Sequence, residues 1–203
     1  MIDTSGISAI ILAAGLSTRM GRPKMLLPWK NSTILGAVIT TLSKTGIEDM
    51  IVVTGAFQQA IEDQVQFLST QFPVRSVNNP HYGSGEMLSS IQAGLMAIDL
   101  RKTAALITLG DQPQIQDQTL KLILSAYQIS GASLIIPSYQ MHRGHPWLVS
   151  SGLWSEIINL CPPHTSRDFL EDHHSDIQYV SIDNDSILLD IDTPADYYSQ
   201  EPS

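Results

Sequence analysis

Residues Ile7 to Trp29 read ISAIILAAGLSTRMGRPKMLLPW. The first six, Ile7 to Leu12, are almost wholly apolar, as expected of a strand covered on both faces. At Ala13-Ala14-Gly15 the run breaks into a polar loop that carries Arg19, Arg22 and Lys24. Small residues at such a turn let backbone N–H groups approach an anion, and the basic side chains neutralise it. The loop is neither a GxxxxGK[ST] nor a GxGxxG phosphate loop, since both patterns are absent.

The remaining composition sets bounds on this reading. A chain of 203 residues suits one domain spanning 1–203, and 43% hydrophobic with 15% charged residues is ordinary for a soluble globular protein. No apolar run approaches the roughly 18 residues that cross a bilayer, so no membrane partner is expected. The start, MIDTSGIS, lacks a basic segment and a signal-like apolar core, which makes the cytoplasm the default. Cys161 is the single cysteine, so an internal disulfide and a Cys-rich zinc site are both excluded. A net charge of −9 argues against nucleic acid. Against that acidic background Arg19, Arg22, Lys24 and Lys30 crowd one segment, which points to a small anionic ligand.

Outward from this loop, apolar runs alternate with helical periodicity. Strands are expected at Ile7–Leu12, Met50–Thr54, Val74–Val77, Ala104–Leu109 and Ser133–Ile136, with a short one at Pro146–Val149. Helices are expected near Ile34–Leu42, Gln58–Leu68, Ser89–Ile98 and Thr119–Ile129. This alternation predicts an α/β fold, a Rossmann-like three-layer sandwich around a mainly parallel sheet. Ligands of such sheets sit where loops leave the C-terminal strand ends. The segments Gly15–Lys24 and Gly110–Pro113 both follow candidate strands. Beyond Pro137 the pattern is less regular: Ser138–His145 is rich in turn residues and Cys161–Arg167 reads as a loop from its prolines.

Several positions have chemistry to offer. Asp111 in Gly110-Asp111-Gln112-Pro113 stands at a strand end in a rigid turn; it is a turn former or a Mg²⁺ ligand, because Mg²⁺ takes one or two carboxylates plus substrate phosphates. In Asp190-Ile191-Asp192-Thr193-Pro194-Ala195-Asp196, Thr193 is a helix cap, Pro194 the first helical residue and Asp196 the capping acid. That leaves Asp192 unused by the cap, while Asp190 is read as organising the loop. Ser89 and Ser90 lie near a helix start, where anion binding and simple capping explain them equally well. His142 and His145 have no third ligand at zinc spacing, and the turn Arg143-Gly144-His145-Pro146 is explained as well by Gly144 and Pro146 as by a ligand. His164, His173 and His174 are read as surface residues.

LAAGLSTRMGRPKMLLP, NPHYGSGEMLSSIQAGL, LGDQP with RGHP, and DIDTPADY resemble, in order, the motifs of the nucleotidyltransferases with a glycosyltransferase-A-like fold. Among these the chain looks most like the molybdopterin nucleotidyltransferase family. The resemblance implies transfer of a nucleotide from an NTP to molybdopterin with release of pyrophosphate. It implies Mg²⁺ on Asp111 and Asp192, with Arg19 and Lys24 acting on the triphosphate. The nucleotide would meet Leu12, Ala13, Ala14 and Gly15, and be covered by the segment that holds Asn79, Gly85 and Ser89. Arg143 and His145 would meet the acceptor, and Ser166-Arg167-Asp168 resembles a weaker acceptor element of the family. LAAG, DIDTP and RGHP lean to CTP over GTP, and a molybdenum hydroxylase is the implied client. The sequence departs from the family at Glu86, where glycine usually precedes the methionine. Two further readings stay open: another phosphorylated acceptor (a sugar phosphate or methylerythritol phosphate), and a non-catalytic carrier of the molybdenum cofactor.

Overall fold

Ile7–Leu12 forms β1, buried along all six residues, so its backbone must pair on both edges and its side chains must be covered on both faces. In this computed structural model residues 2–84 and 86–200 are described, the Glu86 side chain excepted. Gly85 lies outside the described residues. After β1 come the small hairpin β2 (Pro28–Trp29) and β3 (Ser32–Thr33), then α1 (Ile34–Ser43), β4 (Met50–Thr54), α2 (Gln58–Leu68), β5 (Val74–Asn78) and α3 (Glu86–Met96). They are followed by β6 (Ala104–Leu109), α4 (Asp117–Ser130), β7 (Leu134–Tyr139), β8 (His142–Arg143), β9 (Trp147–Ser150), α5 (Trp154–Asn159), α6 (Ser166–Asp172), β10 (Ile177–Ser181) and α7 (Pro194–Gln200).

The main sheet has the order β10-β7-β9-β6-β1-β4-β5, with β8 on β7. β4, β5 and β6 join β1 in a parallel array, and β10 lies parallel to β7. β9 is the exception, antiparallel to both β6 and β7. The expected mainly parallel sheet is therefore present, and β9 makes it mixed. The short apolar run that marks β9 carries no signal of its direction. That is decided by the β7–β8 turn, where Gln140 and Met141 have φ of 47° and 69° and reverse the chain.

Alternate residues of the buried strands face different layers. Ala9, Ile11, Val52 and Leu106 pack with Leu35, Val38, Ile61 and Ile123 from α1, α2 and α4. Ile10, Ile51 and Ile107 pack with Leu88 and Ile91 of α3, Trp154 and Ile157 of α5 and Phe169 of α6. The period-two alternation thus supplies both cores of the three-layer sandwich. A third, smaller cluster, Met20, Leu27, Trp29, Ile34, Ile191 and Tyr197, docks the C-terminal segment against the loop after β1. Tyr197 Oη seals it by donating to Pro28 O at 2.7 Å.

Two expectations are corrected. Ser166 and Arg167 are not loop residues but the first turn of α6, because Thr165 caps it and Asp168 closes a reciprocal capping box. His173 is not the exposed surface residue expected: its side chain is 16% exposed, and its two ring nitrogens lie 2.8 Å from Glu156 Oε1 and 2.9 Å from Asp176 Oδ2. Among the described residues no helix is long and apolar enough to cross a membrane.

Candidate active site

The chain leaves β1 to build β4 and β5 on one side, then returns to place β6 on the other. The C-terminal ends of β1 and β6 therefore form a topological switch point, where loops diverge and leave a crevice. Leu12 and Leu109 are register partners at this edge, and Gly110 N donates to Leu12 O at 2.9 Å. A Cβ on Gly110 would stand 3.0 Å from Leu12 O and 3.1 Å from Met25 Sδ, so glycine lets the two strand ends lie this close. The next residue is Asp111. At Gly15, by contrast, a Cβ would meet nothing within 4 Å; the missing side chain there leaves space open in the crevice.

Lys24 is the centre of the site. The loop reaches it through Ser17, whose φ of 48° turns the backbone and whose carbonyl accepts from Met20 and Gly21. Lys24 is only 7% exposed. Its Nζ donates to Asp111 Oδ2 and, at 2.8 Å, to Asp192 Oδ1. Arg19, itself largely exposed, reaches Asp192 Oδ2 at 2.9 Å. The C-terminal segment delivers Asp192 to this place. Ile191 is fully buried and its N donates to Asp111 O at 3.1 Å, while the expected cap holds the far side, with Asp196 Oδ2 accepting from Thr193 N at 2.8 Å. Two acids 81 positions apart in sequence thus meet on one ammonium.

The electrostatics follow from that meeting. Burial opposes the charged form of Lys24, but Asp111 and Asp192 outweigh it and its pKa is raised. Burial likewise works against the Asp192 carboxylate, and Lys24 and Arg19 reverse the balance, lowering its pKa. At Asp190 the same Lys24 charge acts but is outweighed. Burial first, and the neighbouring Asp111 charge second, push it up to about 6, although Gln112 Nε2 donates to its Oδ1 at 2.8 Å.

Whether the site suits a divalent metal is a question about its donors. Asp111 Oδ2 and Asp192 Oδ1 converge on a single cation position, here taken by the Lys24 ammonium. Two hard oxygens of this kind fit Mg²⁺, which completes its shell with water and substrate phosphates. Among the described residues no group of three or more acidic, histidine or cysteine side chains could hold a metal by itself, so phosphate oxygens are a necessary part of the fit.

Two neighbouring cavities open here. One, of about 330 Å³, is lined by Leu12, Ala14, Gly15, Lys24, Ser90 and Asp111. The other, of about 410 Å³, is lined by Gln112, Arg143, His145, Trp147, Ser166 and Arg167. Met87, Leu109 and Asp190 border both. The structure thereby brings together Leu12, Ala14, Gly15, Arg19, Lys24, Asp111 and Asp192, with Ala13 buried beneath them in the core between sheet and helices. It also gathers Arg143 and His145 on the adjoining cavity. Arg143 is paired with Glu171 at 2.9 Å, and the His145 ring stacks on Trp147 with centroids 4.5 Å apart.

Other expected site residues are placed differently. Asn79 is 1% exposed and fully engaged: its Nδ2 donates to Ser89 and Ser90, and its Oδ1 accepts from His81 N. It fixes the turn before α3. Ser89 lines a separate cavity with His81 and His164, whereas its neighbour Ser90 lines the Lys24 cavity. Helix α3 begins at Glu86, three residues earlier than the sequence suggests, so Ser89 lies within its first turns and not at its start. Arg22 and Lys30 are exposed and, among the described residues, form no ion pair with the acids. Sequence reasoning passed over Gln112 and used Asp190 only as a loop organiser. The one available signal for Gln112 was its place directly after Asp111.

Residues 9–177 match the model of the MobA-like NTP transferase domain. The molybdenum cofactor cytidylyltransferase of Escherichia coli is 33% identical over 195 residues, covering 95% of this chain and 94% of that protein. The nicotine blue oxidoreductase of Paenarthrobacter nicotinovorans is 30% identical over 204 residues, covering 97% of each. Among solved structures, Rv0371c of Mycobacterium tuberculosis superposes with a TM-score of 0.83 at 26% identity, covering 98% of this chain and 100% of that one.

Proposed function

The chain belongs to the MobA-like NTP transferase family, and we propose that within it the protein transfers CMP from CTP to molybdopterin, with Mg²⁺ as cofactor. Relatives named for a transferase and for an oxidoreductase are almost equally similar, so the side chains must choose between them. The observation that carries the choice is the convergence of Asp111 and Asp192 on Lys24, beside a cavity whose rim is Leu12, Ala14 and Gly15. A cation and two carboxylates at a strand-end crevice serve a polyphosphate bound with a metal.

In the proposed reaction a phosphate oxygen of the acceptor attacks the α-phosphorus of CTP. The bond from that phosphorus to the bridging oxygen breaks, and pyrophosphate leaves with the electron pair. Mg²⁺ held by Asp111 and Asp192 supplies charge neutralisation on phosphate oxygens when bound. Lys24 and Arg19 bind the β- and γ-phosphates and stabilise the leaving pyrophosphate, so both must turn from the carboxylates to the nucleotide. Asp111 and Asp192 are held by backbone contacts through Ile191 and therefore stay in place. No side-chain nucleophile is required, since positioning and electrostatics account for catalysis of this kind. Arg143 and His145 border the acceptor's cavity, and Asn79 supports the nucleotide side by fixing α3. The cytoplasm is the proposed location, and a molybdenum hydroxylase the proposed client.

The test is pyrophosphate release on mixing the protein with CTP, Mg²⁺ and molybdopterin. A carrier that only binds the cofactor releases none, and a methylerythritol or sugar phosphate acceptor would support release where molybdopterin does not. For the base, Ala14 places a methyl group on the cavity wall, which favours the smaller pyrimidine by about 1–3 kcal/mol. A higher kcat/KM for GTP than for CTP in competition would refute that part.

A further inference from the structure

The cavity beside the Lys24 site has polar atoms that phosphoryl chemistry leaves unused. Gln112 is 1% exposed and borders this cavity. Its amide is anchored at the nitrogen, which donates to Asp190 Oδ1 at 2.8 Å and to Ile187 O at 3.4 Å. The other end, Oε1, is buried and has no hydrogen-bond partner among the described residues. His145 lines the same cavity, and its Nε2 is likewise buried with no hydrogen-bond partner among the described residues. The ring is held by its stack on Trp147 and by the bond from His145 N to Ile187 O at 3.1 Å. Burial drives its pKa down to about 4, so the imidazole is neutral.

A buried acceptor without a donor is a recognition element, because a ligand that brings an N–H there recovers a hydrogen bond that the protein alone forgoes. Part of the lining is apolar, with Met87, Leu109, Trp147, Leu170 and Leu188, and Arg143, Ser166, Arg167 and Glu171 make the rest polar. A flat ring can lay its face on the apolar part and turn a polar edge to Gln112, whereas a polyol would lose hydration of its hydroxyls against that part. Asp190, on the border of both cavities, adds a carboxylate beside Gln112. An amide oxygen and a carboxylate on residues that line one cavity and are joined through the Gln112 nitrogen offer two acceptors for the adjacent N–H donors of a 2-amino-4-oxopyrimidine edge.

We infer that Gln112 is a specificity-determining residue, whose Oε1, with Asp190 and His145, accepts hydrogen bonds from the N–H edge of a pterin-class ring in the acceptor. The inference rests on the proposed nucleotidyl transfer to molybdopterin in taking this cavity as the acceptor's. It goes further by naming the ring edge that is read and the atom that reads it.

The probe is a free pterin, 6-hydroxymethylpterin, titrated against the protein by its fluorescence, with pteridin-4-one, which lacks the 2-amino group, as comparison. Wild type binds the pterin roughly tenfold more tightly than pteridin-4-one, and Gln112→Leu removes that preference. The affinity for CTP with Mg²⁺ stays the same in the variant, because Gln112 does not border the Lys24 cavity. A wild type that binds both ring systems equally, or binds a polyol phosphate in place of the pterin, overturns the inference. So does a Gln112→Leu protein that keeps the preference. Should Gln112→Leu fail to fold by circular dichroism, Gln112→Met and the wild-type preference decide. Transfer to molybdopterin is assayed separately on wild type. Transfer without ring preference sinks this inference alone, and ring preference without transfer sinks the proposed reaction alone.

Discussion

Replacing Lys24 by methionine keeps most of the side-chain stem and removes the ammonium. Asp111 and Asp192 then face each other with only Arg19 left on the outer oxygen of Asp192. Each charge-assisted hydrogen bond lost is worth about 1.5–3 kcal/mol, and breaking a fully buried pair costs about 3–5 kcal/mol. The Asp192 side chain is 34% exposed against 15% for Asp111, so solvent screens one of the two contacts. The net destabilisation is about 2–3 kcal/mol, or roughly 4–12 °C in Tm for a chain of this length. The sign with pH follows from Asp192. Its lowered folded pKa makes its contribution present above the unfolded carboxylate pKa and lost as pH falls through the folded one. The variant lacks the partner that lowers it, so wild type and variant should converge in acid. Urea unfolding at neutral and acid pH measures both numbers. With the acids uncompensated, Lys24→Met should also bind Mn²⁺ more tightly than wild type in the absence of nucleotide, as read by electron paramagnetic resonance. A neutral-pH difference below about 0.5 kcal/mol, typical of a surface change, together with unaltered Mn²⁺ affinity, would refute the picture of Lys24 as the internal counter-ion of the two acids.

Asp111→Asn keeps volume and removes charge, so the fold should persist while turnover nearly vanishes; activity like that of wild type at ordinary Mg²⁺ would show that Asp111 only shapes the turn. Arg19→Ala should lower kcat/KM by about 2–4 kcal/mol of transition-state stabilisation, and Arg22→Ala much less, because Arg19 touches Asp192 whereas Arg22 is exposed. If Arg22→Ala proves the more harmful, the roles within the loop are misassigned. His173, its pKa raised by Asp176 and Glu156, ties the end of α6 to α5. Its contribution is full below the unfolded histidine pKa and lost as pH rises through the raised folded value, so wild type should lose stability relative to His173→Gln across that window. Urea midpoints that run parallel with pH would count against this.

How much was written in the sequence differs from element to element. The core strands were legible because fully buried strands must be continuous apolar runs, and β1, β4 and β6 follow Ile7–Leu12, Met50–Thr54 and Ala104–Leu109 without a shift. Asp111 was legible because a strand end limits where its side chain can go, and the Thr193 cap because capping is local. Local signals do not fix a helix start to the residue: α3 opens at Glu86 instead of Ser89, and which cavity Ser89 lines is settled by how the helix packs.

What only the tertiary structure decided are the relations between distant segments. No local pattern says that β9 runs antiparallel between β6 and β7, since strand direction depends on the turn that delivers it. Gln112 stands inside the LGDQP motif with no local sign of its partners, Ile187 O and Asp190 Oδ1, which accept from its amide nitrogen across the fold. Asp192 could be named from its motif, yet its partner is set by the third apolar cluster, which carries Ile191 and Tyr197 onto the loop after β1. Sequence alone determined which residues have the chemistry, because residue type and local periodicity are properties of short segments. Their convergence on Lys24 is a property of packing, in which burial of Ile191 and Tyr197 carries the segment in and the Lys24 ammonium offsets the repulsion between the two carboxylates.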